Sequence, residues 1–311
     1  MNEFIKDIFD SFSDKLNEVI GKTDFPLSIN FSKRTKENAF YNIICDSLKE
    51  FGKADISIIN NGAVRSNLNK GNILYKDIIN SLPFSNDVII KEIPGKVILE
   101  ALEYGVRALP SSGSGIPQVS GITYKVDISI NSPVIIDDNG SFQKIEGERR
   151  VYDVKINGKN LDLNKYYTIS SNSFILDGGD GYTMFYPCEI IQTAIGIDND
   201  LLQTYIKENL NGEIPLKYKS TENRIVKTNG KIYETSDDDD SSGLSGGIIA
   251  VIVIVPIVVV AIIIVAIYFL KKRKRIINND TEIKESKRSE NNENNVIIYR
   301  NDNNIDDKSK E

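Results

Sequence analysis

From Ile248 to Leu270 the chain carries no charged residue, and this run, IIAVIVIVPIVVVAIIIVAIYFL, constrains the protein more than any other feature. It is longer than the roughly 20 apolar residues a helix needs to cross a bilayer. A core helix of this length would show a polar face, which the run lacks. Pro256 in mid-span suits a membrane helix, where neighbouring groups re-satisfy the freed backbone. Lys271, Lys272, Arg273, Lys274 and Arg275 follow at once. Basic clusters stay on the cytoplasmic side. The expectation is a single-pass anchor at 248–270, with residues 1–246 outside the cell or in a lumen and the tail in the cytoplasm.

The flanks and the composition narrow the function classes. Asp237 to Asp240 followed by SSGLSGG reads as a self-repelling, flexible stalk over 234–247. The tail 271–311 is rich in Asn, Glu and Lys and reads as disordered. Net charge is −6, and because the tail leans basic, the acidic excess lies ahead of it. That argues against nucleic acid as partner, but a small phosphorylated ligand needs only one or two local cations. There is no histidine. Ser-His-Asp and Cys-His chemistry are therefore excluded, as is a His-rich catalytic metal centre. Cys45 reads as a small buried hydrophobe; a disulfide with Cys188 is the lesser alternative. The opening MNEFIKDIFDSF has no apolar core of a signal peptide. Either the anchor itself targets the chain, or the true start lies upstream.

Periodicity places the elements. Phe4, Ile5, Ile8, Phe9, Phe12, Leu16, Val19 and Ile20 predict an amphipathic helix over 3–20. A second helix is expected over 37–51, a strand at 54–60, a short helix at 74–80 and a strand at 87–93. Pro94 then opens a helix in GKVILEALEYGV. A loop over 108–117 precedes strands in GITYKVDISI, VYDVKING and KYYTISSNSF. A late helix follows at 197–209, and RIVKTNGKIY (224–233) suggests a closing hairpin. Helices and strands mix without a strict βαβ repeat, so the class is α+β. Asn30-Phe31-Ser32 and Asn139-Gly140-Ser141 are glycosylation sequons, of use only outside the cytoplasm.

Four segments stand out: NNGAVRSNL (60–68), LPFSN (82–86), GIPQVSGITYKVD (115–127) and NSFILDGGDGYTMF (172–185). Their order and spacing resemble the C-terminal domain of the 5′-nucleotidase family. KENAFYNIICD (36–46) looks like that family's opening helix, and GKVILEALEYGV like the helix after its PF motif. The resemblance runs from about residue 20 to 228. It implies mixed sheets with flanking helices over 23–233, preceded by a connector helix over 1–22. In the family an N-terminal metallophosphoesterase domain holds two divalent metals and the catalytic histidine, while the C-terminal domain grips the nucleoside. The chain resembles that second half alone. The expectation is therefore no catalytic residue, metal or cofactor in this chain, with a metallophosphoesterase half as a missing partner.

The resemblance also implies site residues. Phe84 and Phe174 fall where the family places its stacking aromatics; two rings can sandwich a base, each stack worth roughly 1–3 kcal/mol. Core packing is the ordinary fate of phenylalanine, but both stand beside polar, Gly-rich turns. Asp180, in GGDGY, matches the aspartate that accepts the ribose hydroxyls, and Gly178 and Gly179 allow close approach. Asn60 can read a base edge through its amide, and Arg65 can fork onto phosphate or sugar oxygens. The family pattern there is closer to N-G-G-G-I-R. Ala63 thus adds a methyl where backbone approaches the ligand, and Asn61 replaces another glycine. Lys36 stands where the family has an arginine that reaches the substrate, with Arg34 close by. Tyr41 replaces a glycine before Asn42.

Three readings stay open from sequence. The chain is the substrate-recognition half of a membrane-anchored 5′-nucleotidase-like phosphohydrolase for purine nucleotides or nucleosides. Alternatively it binds such ligands without hydrolysis, or it is a structural or adhesion ectodomain on a degenerate fold.

Overall fold

The computed structural model describes residues 13–111 and 116–231. The first part of the expected helix at 3–20, the acidic stalk, the uncharged run at 248–270 and the polar tail lie outside the described residues. Among the described residues no helix is long and apolar enough to cross a membrane.

In chain order the elements begin with β1 (Val19–Thr23), α1 (Ala39–Gly52), β2 (Ile56–Ile59), β3 (Gly71–Leu74), α2 (Tyr75–Ser81), β4 (Asp87–Pro94) and α3 (Gly95–Gly105). There follow β5 (Gln118–Ser120), β6 (Ile122–Asp127), β7 (Val134–Ile136), β8 (Phe142–Ile145), β9 (Val151–Ile156) and β10 (Lys159–Asn160). The last are β11 (Tyr166–Asn172), α4 (Ser173–Leu176), β12 (Glu189–Ile197), α5 (Asp198–Thr204) and β13 (Ile225–Thr228).

A five-stranded sheet in the order β12-β4-β11-β2-β5 forms the centre, and a four-stranded sheet in the order β10-β9-β6-β13 lies beside it. β2 and β11 run parallel, with Ile169 opposite Ile56; the other pairings of the central sheet are antiparallel. Successive strand residues face opposite sides, and β2 buries both. Ile56 and Ile58 pack with Ile98 and Leu102 of α3 and with Val126 of β6. Ile59 packs with Ile43, Ile44 and Leu48 of α1 and Leu202 of α5. α1 thus covers one face, while α3 and the second sheet cover the other. Each such buried side chain contributes roughly 1.5–3 kcal/mol. Asn38 starts α1 by accepting from the Phe40 N–H at 2.9 Å, and Lys53 ends it in the left-handed region at φ 44°.

Arg224, just before β13, ties the end of the fold to its beginning. Its guanidinium meets Asp46 of α1 at 2.8 and 2.9 Å, and Tyr218 and Ser120 donate to the same carboxylate at 2.7 and 2.6 Å. Burial alone would raise the Asp46 pKa; the Arg224 pairing overrides it and holds the carboxyl below its ordinary value.

The mixed sheets and flanking helices agree with the α+β expectation, and the helices of α1, α2, α3 and α5 fall where periodicity put them. Two expectations need correction, and one strand was not foreseen. The helix over 3–20 ends early: 13–16 are helical, but Val19–Thr23 is the strand β1, antiparallel to β3. Val19 and Ile20 are β-branched and Gly21 follows, all poor in a helix interior. The fold therefore begins before the boundary expected at 23. The closing hairpin is instead one strand, β13, parallel to β6 with Ile225 opposite Tyr124. The Asp127 carboxylate accepts from the Gly230 N–H at 2.9 Å, which ends the strand instead of turning it back. Finally, EIIQTAIGI forms the sheet edge β12, which no alternation announced. Cys45 and Cys188 are both free thiols, and Cys45 is buried.

Candidate functional site

Parallel strands end on the same side, so the carboxyl ends of β2 and β11 bring Asn60 and Asn172 together. β4 is antiparallel to β11, so its first residues arrive at the same edge. There the structure opens a cavity of about 570 Å3, lined by Phe31, Arg34, Asn60, Gly62, Ala63, Arg65, Phe84, Asn86, Asn172, Phe174 and Asp180. Its size falls within the usual ~300–1,000 Å3 for small-molecule sites.

A directed chain of hydrogen bonds crosses the floor. The Asn172 side chain accepts from the Ile175 N–H at 3.0 Å, capping α4, and donates to the Asn60 side-chain oxygen at 3.3 Å. Asn60 donates to the Asp180 carboxylate at 2.8 Å. Each amide orientation is set by the next, and the chain ends on Asp180. The Asn60 side-chain oxygen and one N–H are thus engaged within the protein, and the amide is turned toward Asp180.

Asp180 itself sits at φ 52°, in the left-handed region that non-glycine residues rarely adopt. The Tyr104 hydroxyl holds it there, lying 2.8 Å from the Asp180 carbonyl and 2.8 Å from that of Gly140. Burial raises the Tyr104 pKa, which keeps that hydroxyl protonated as a donor. Gly179 must lack a side chain, since a Cβ would lie 2.5 Å from the Phe174 carbonyl oxygen and 2.7 Å from its ring.

The segment 173–185 is fastened from beneath by Lys91 of β4. This lysine is 2% exposed, and its ammonium donates to the Leu176 carbonyl at 2.8 Å and the Phe185 carbonyl at 3.2 Å. It also meets the Asp177 carboxylate at 3.3 Å. The opposite wall, the NNGAVR turn, is fastened differently. Tyr41 of α1 and Arg34 both donate to the Asn61 carbonyl, and Tyr41 accepts from the Val64 N–H at 3.3 Å. Burial pushes the Tyr41 phenol up to about 12, with Arg34 acting in the opposite direction. Asn61 returns a bond from its side chain to the Arg34 carbonyl at 3.3 Å.

Phe84 is 53% exposed and Phe174 46%, although both belong to a well-packed domain. The Arg65 guanidinium lies over the Phe84 ring, 5.1 Å from its centroid, and that of Arg34 lies 5.2 Å from the Phe31 centroid. Such cation–π contacts are worth roughly 0.5–1 kcal/mol at exposed sites, little enough for a ligand to displace.

Of the residues expected from sequence, Asn60, Ala63, Arg65, Phe84, Phe174 and Asp180 meet around this one cavity. Lys36 does not: it is exposed and lines a separate surface groove beside Phe40 and Tyr218. Arg34, two residues earlier, takes the place at the cavity because its guanidinium is anchored on the Asn61 and Val64 carbonyls. Ala63 is buried and lines the cavity. Asn86 and Asn172 were visible only as end residues of LPFSN and NSFILDGGDGY, Phe31 only as the middle of a sequon, and Lys91 carried no motif. Among the described residues no three His, Cys, Asp or Glu side chains converge as a metal requires. The sequence holds no histidine.

The family model described as "5′-nucleotidase, C-terminal domain" matches residues 19–186, more than half of the chain. The chain belongs to the 5′-nucleotidase C-terminal domain family. It is 33% identical over 198 residues to the trifunctional nucleotide phosphoesterase protein YfkN of Bacillus subtilis, covering 59% of this chain and 12% of that protein. It is 26% identical over 208 residues to the 5′-nucleotidase of Vibrio vulnificus, covering 67% of this chain and 34% of that one. The crystal structure of a 5′-nucleotidase precursor from Thermus thermophilus superposes with a TM-score of 0.60 at 25% identity, over 73% of this chain and 43% of that chain. The chain thus spans about a third or less of these curated relatives.

Proposed function

We propose that this domain is the substrate-recognition unit of a 5′-nucleotidase-type phosphohydrolase, holding the base and ribose of a purine nucleotide or nucleoside. The observation that carries the reading is the pair of exposed rings, Phe84 and Phe174, opening onto one cavity whose polar end is an aimed aspartate. Rings left in water beside a good core serve a flat ligand better than they serve folding. Asp180 accepts the ribose hydroxyls. Arg34 and Arg65 supply two cations for a phosphate at the rim. The phosphate-releasing chemistry belongs to a metal-bearing unit outside these residues, and this domain contributes orientation.

Calorimetric titration with AMP and adenosine tests this. Binding is expected, and replacing Phe84 and Phe174 together by alanine should weaken it more than tenfold, the loss of two stacks. Absence of heat, or unchanged affinity in the double variant, favours a structural role for the fold. Metal-dependent phosphate release from AMP by the purified chain would overturn the division of labour. Domain identity leaves open a binder that never hydrolyses, the reading to take up if no metal-bearing partner co-purifies. The anchoring reading rests on the run at 248–270 and the basic cluster after it. Protease treatment of sealed vesicles should trim residues 1–246 and spare the tail, and the reverse pattern would sink it.

A further inference from the structure

Asn86 lines the cavity two residues beyond Phe84. Its amide nitrogen donates to one carboxylate oxygen of Asp198 at 3.2 Å. Asp198, at the start of α5, is 1% exposed. Its other oxygen accepts from the Asn199 N–H at 2.8 Å, and its own N–H donates to the Asn86 carbonyl at 3.0 Å. The backbone bond fixes the two residues face to face.

We propose that Asp198 sets which hydrogen-bonding group Asn86 offers the cavity, and thereby selects bases with an exocyclic amino group over bases with an oxo group at that position. The inference rests on the reading of the cavity as a nucleoside site. An ionised carboxylate only accepts hydrogen bonds. Asn86 must therefore turn its NH2 toward Asp198, which leaves its carbonyl oxygen as the group for a ligand. That oxygen pairs with an amino group and repels an oxo group. Asp198 touches no ligand; it is a positioning residue, and Asn86 is the contact.

Adenosine and inosine differ at position 6, amino against oxo, with N1 changing from acceptor to N–H donor beside it, so their affinity ratio reads the polarity that Asn86 offers. In the full chain at pH 8, adenosine is expected to bind about tenfold more tightly, the effect of one matched against one mismatched hydrogen bond. Asp198→Asn reverses the polarity with little change of shape. The Asn199 N–H keeps the oxygen of the new amide, so its NH2 faces Asn86 and turns the Asn86 oxygen away from the cavity. The ratio should fall to one or invert. Asn86→Ala should bring it near one, with Asp198→Asn adding nothing in that background. A wild-type ratio retained in either single variant overturns the proposal, while adenosine binding itself still supports the nucleoside site. A wild-type chain that binds neither nucleoside overturns both.

Discussion

The two walls of the cavity are held by different physics. The NNGAVR turn is fastened by several groups: Tyr41 and Arg34 share its Asn61 carbonyl, Tyr41 accepts from its Val64 N–H, and the Asn61 side chain donates back to the Arg34 carbonyl. The segment carrying Phe174 and Asp180 is also tied at Asn60, Asn172 and Tyr104, but its Leu176 carbonyl depends on one buried ammonium, Lys91. In the first wall two donors share one carbonyl; in the second one donor serves two. Distributed bonds tolerate the loss of one member, whereas a lone buried donor leaves carbonyls unsatisfied when removed. The contrast predicts unequal responses to single substitutions.

The sharpest break is Lys91→Met. It strips the Leu176 carbonyl of its donor, leaves that of Phe185 with the Cys188 N–H alone, and should lower unfolding free energy by about 3 kcal/mol, read from the urea midpoint. Adenosine affinity should fall with it, because Phe174 and Asp180 ride on the released segment. An unchanged midpoint and affinity would mean that Tyr104 suffices. Next in size is a gain. Burial, helped by the charge of Asp200, raises the Asp198 carboxyl to about 6. Between roughly pH 4 and 6 the folded chain therefore holds a proton that the unfolded chain has released. This group's contribution to stability falls as pH rises through that window and levels off above about 6. Asp198→Asn removes the slope, so the variant should be about 2 kcal/mol more stable than wild type at pH 7, with the gap closing below pH 4. Parallel melting curves from pH 3 to 8 give the difference directly. The smallest effect is expected in the redundant wall. Tyr41→Phe leaves Arg34 on the Asn61 carbonyl and deprives mainly the Val64 N–H, costing about 1 kcal/mol. A loss as large as that for Lys91→Met would erase the distinction between the walls.

The same contrast separates what was legible in the sequence from what was not. Residues that face the cavity sit in motifs, so the family resemblance singled out Phe84, Phe174 and Asp180, and their polar, turn-rich surroundings agreed. Residues that hold the cavity in place did not stand out. Lys91 interrupts the apolar run DVIIKEI and reads as a solvent-facing position on an alternating strand; only the fold of 173–185 beneath it turns that position inward. Lys36 and Arg34 lie two residues apart in one charged stretch, and which one reaches the cavity depends on the carbonyls available across space, not on spacing along the chain. Tyr41 looked like a departure from a glycine, yet its hydroxyl serves the very turn where other glycines are missing. The strands β1 and β12 escaped because strand identity there comes from a partner: β3 pairs with the first and β4 with the second.

The Tyr104 hydroxyl touches two carbonyls, and the second belongs to Gly140, at the tip of the β7–β8 hairpin. A Cβ on Gly181 would fall 2.9 Å from the same Gly140 oxygen, so the hairpin tip and the aspartate loop are in contact as well as tethered. The hairpin is thus a surface element whose length is not free. A residue inserted between Asp137 and Ser141, or a sugar carried on Asn139, acts at the far end of a short lever whose near end is the carboxylate of Asp180.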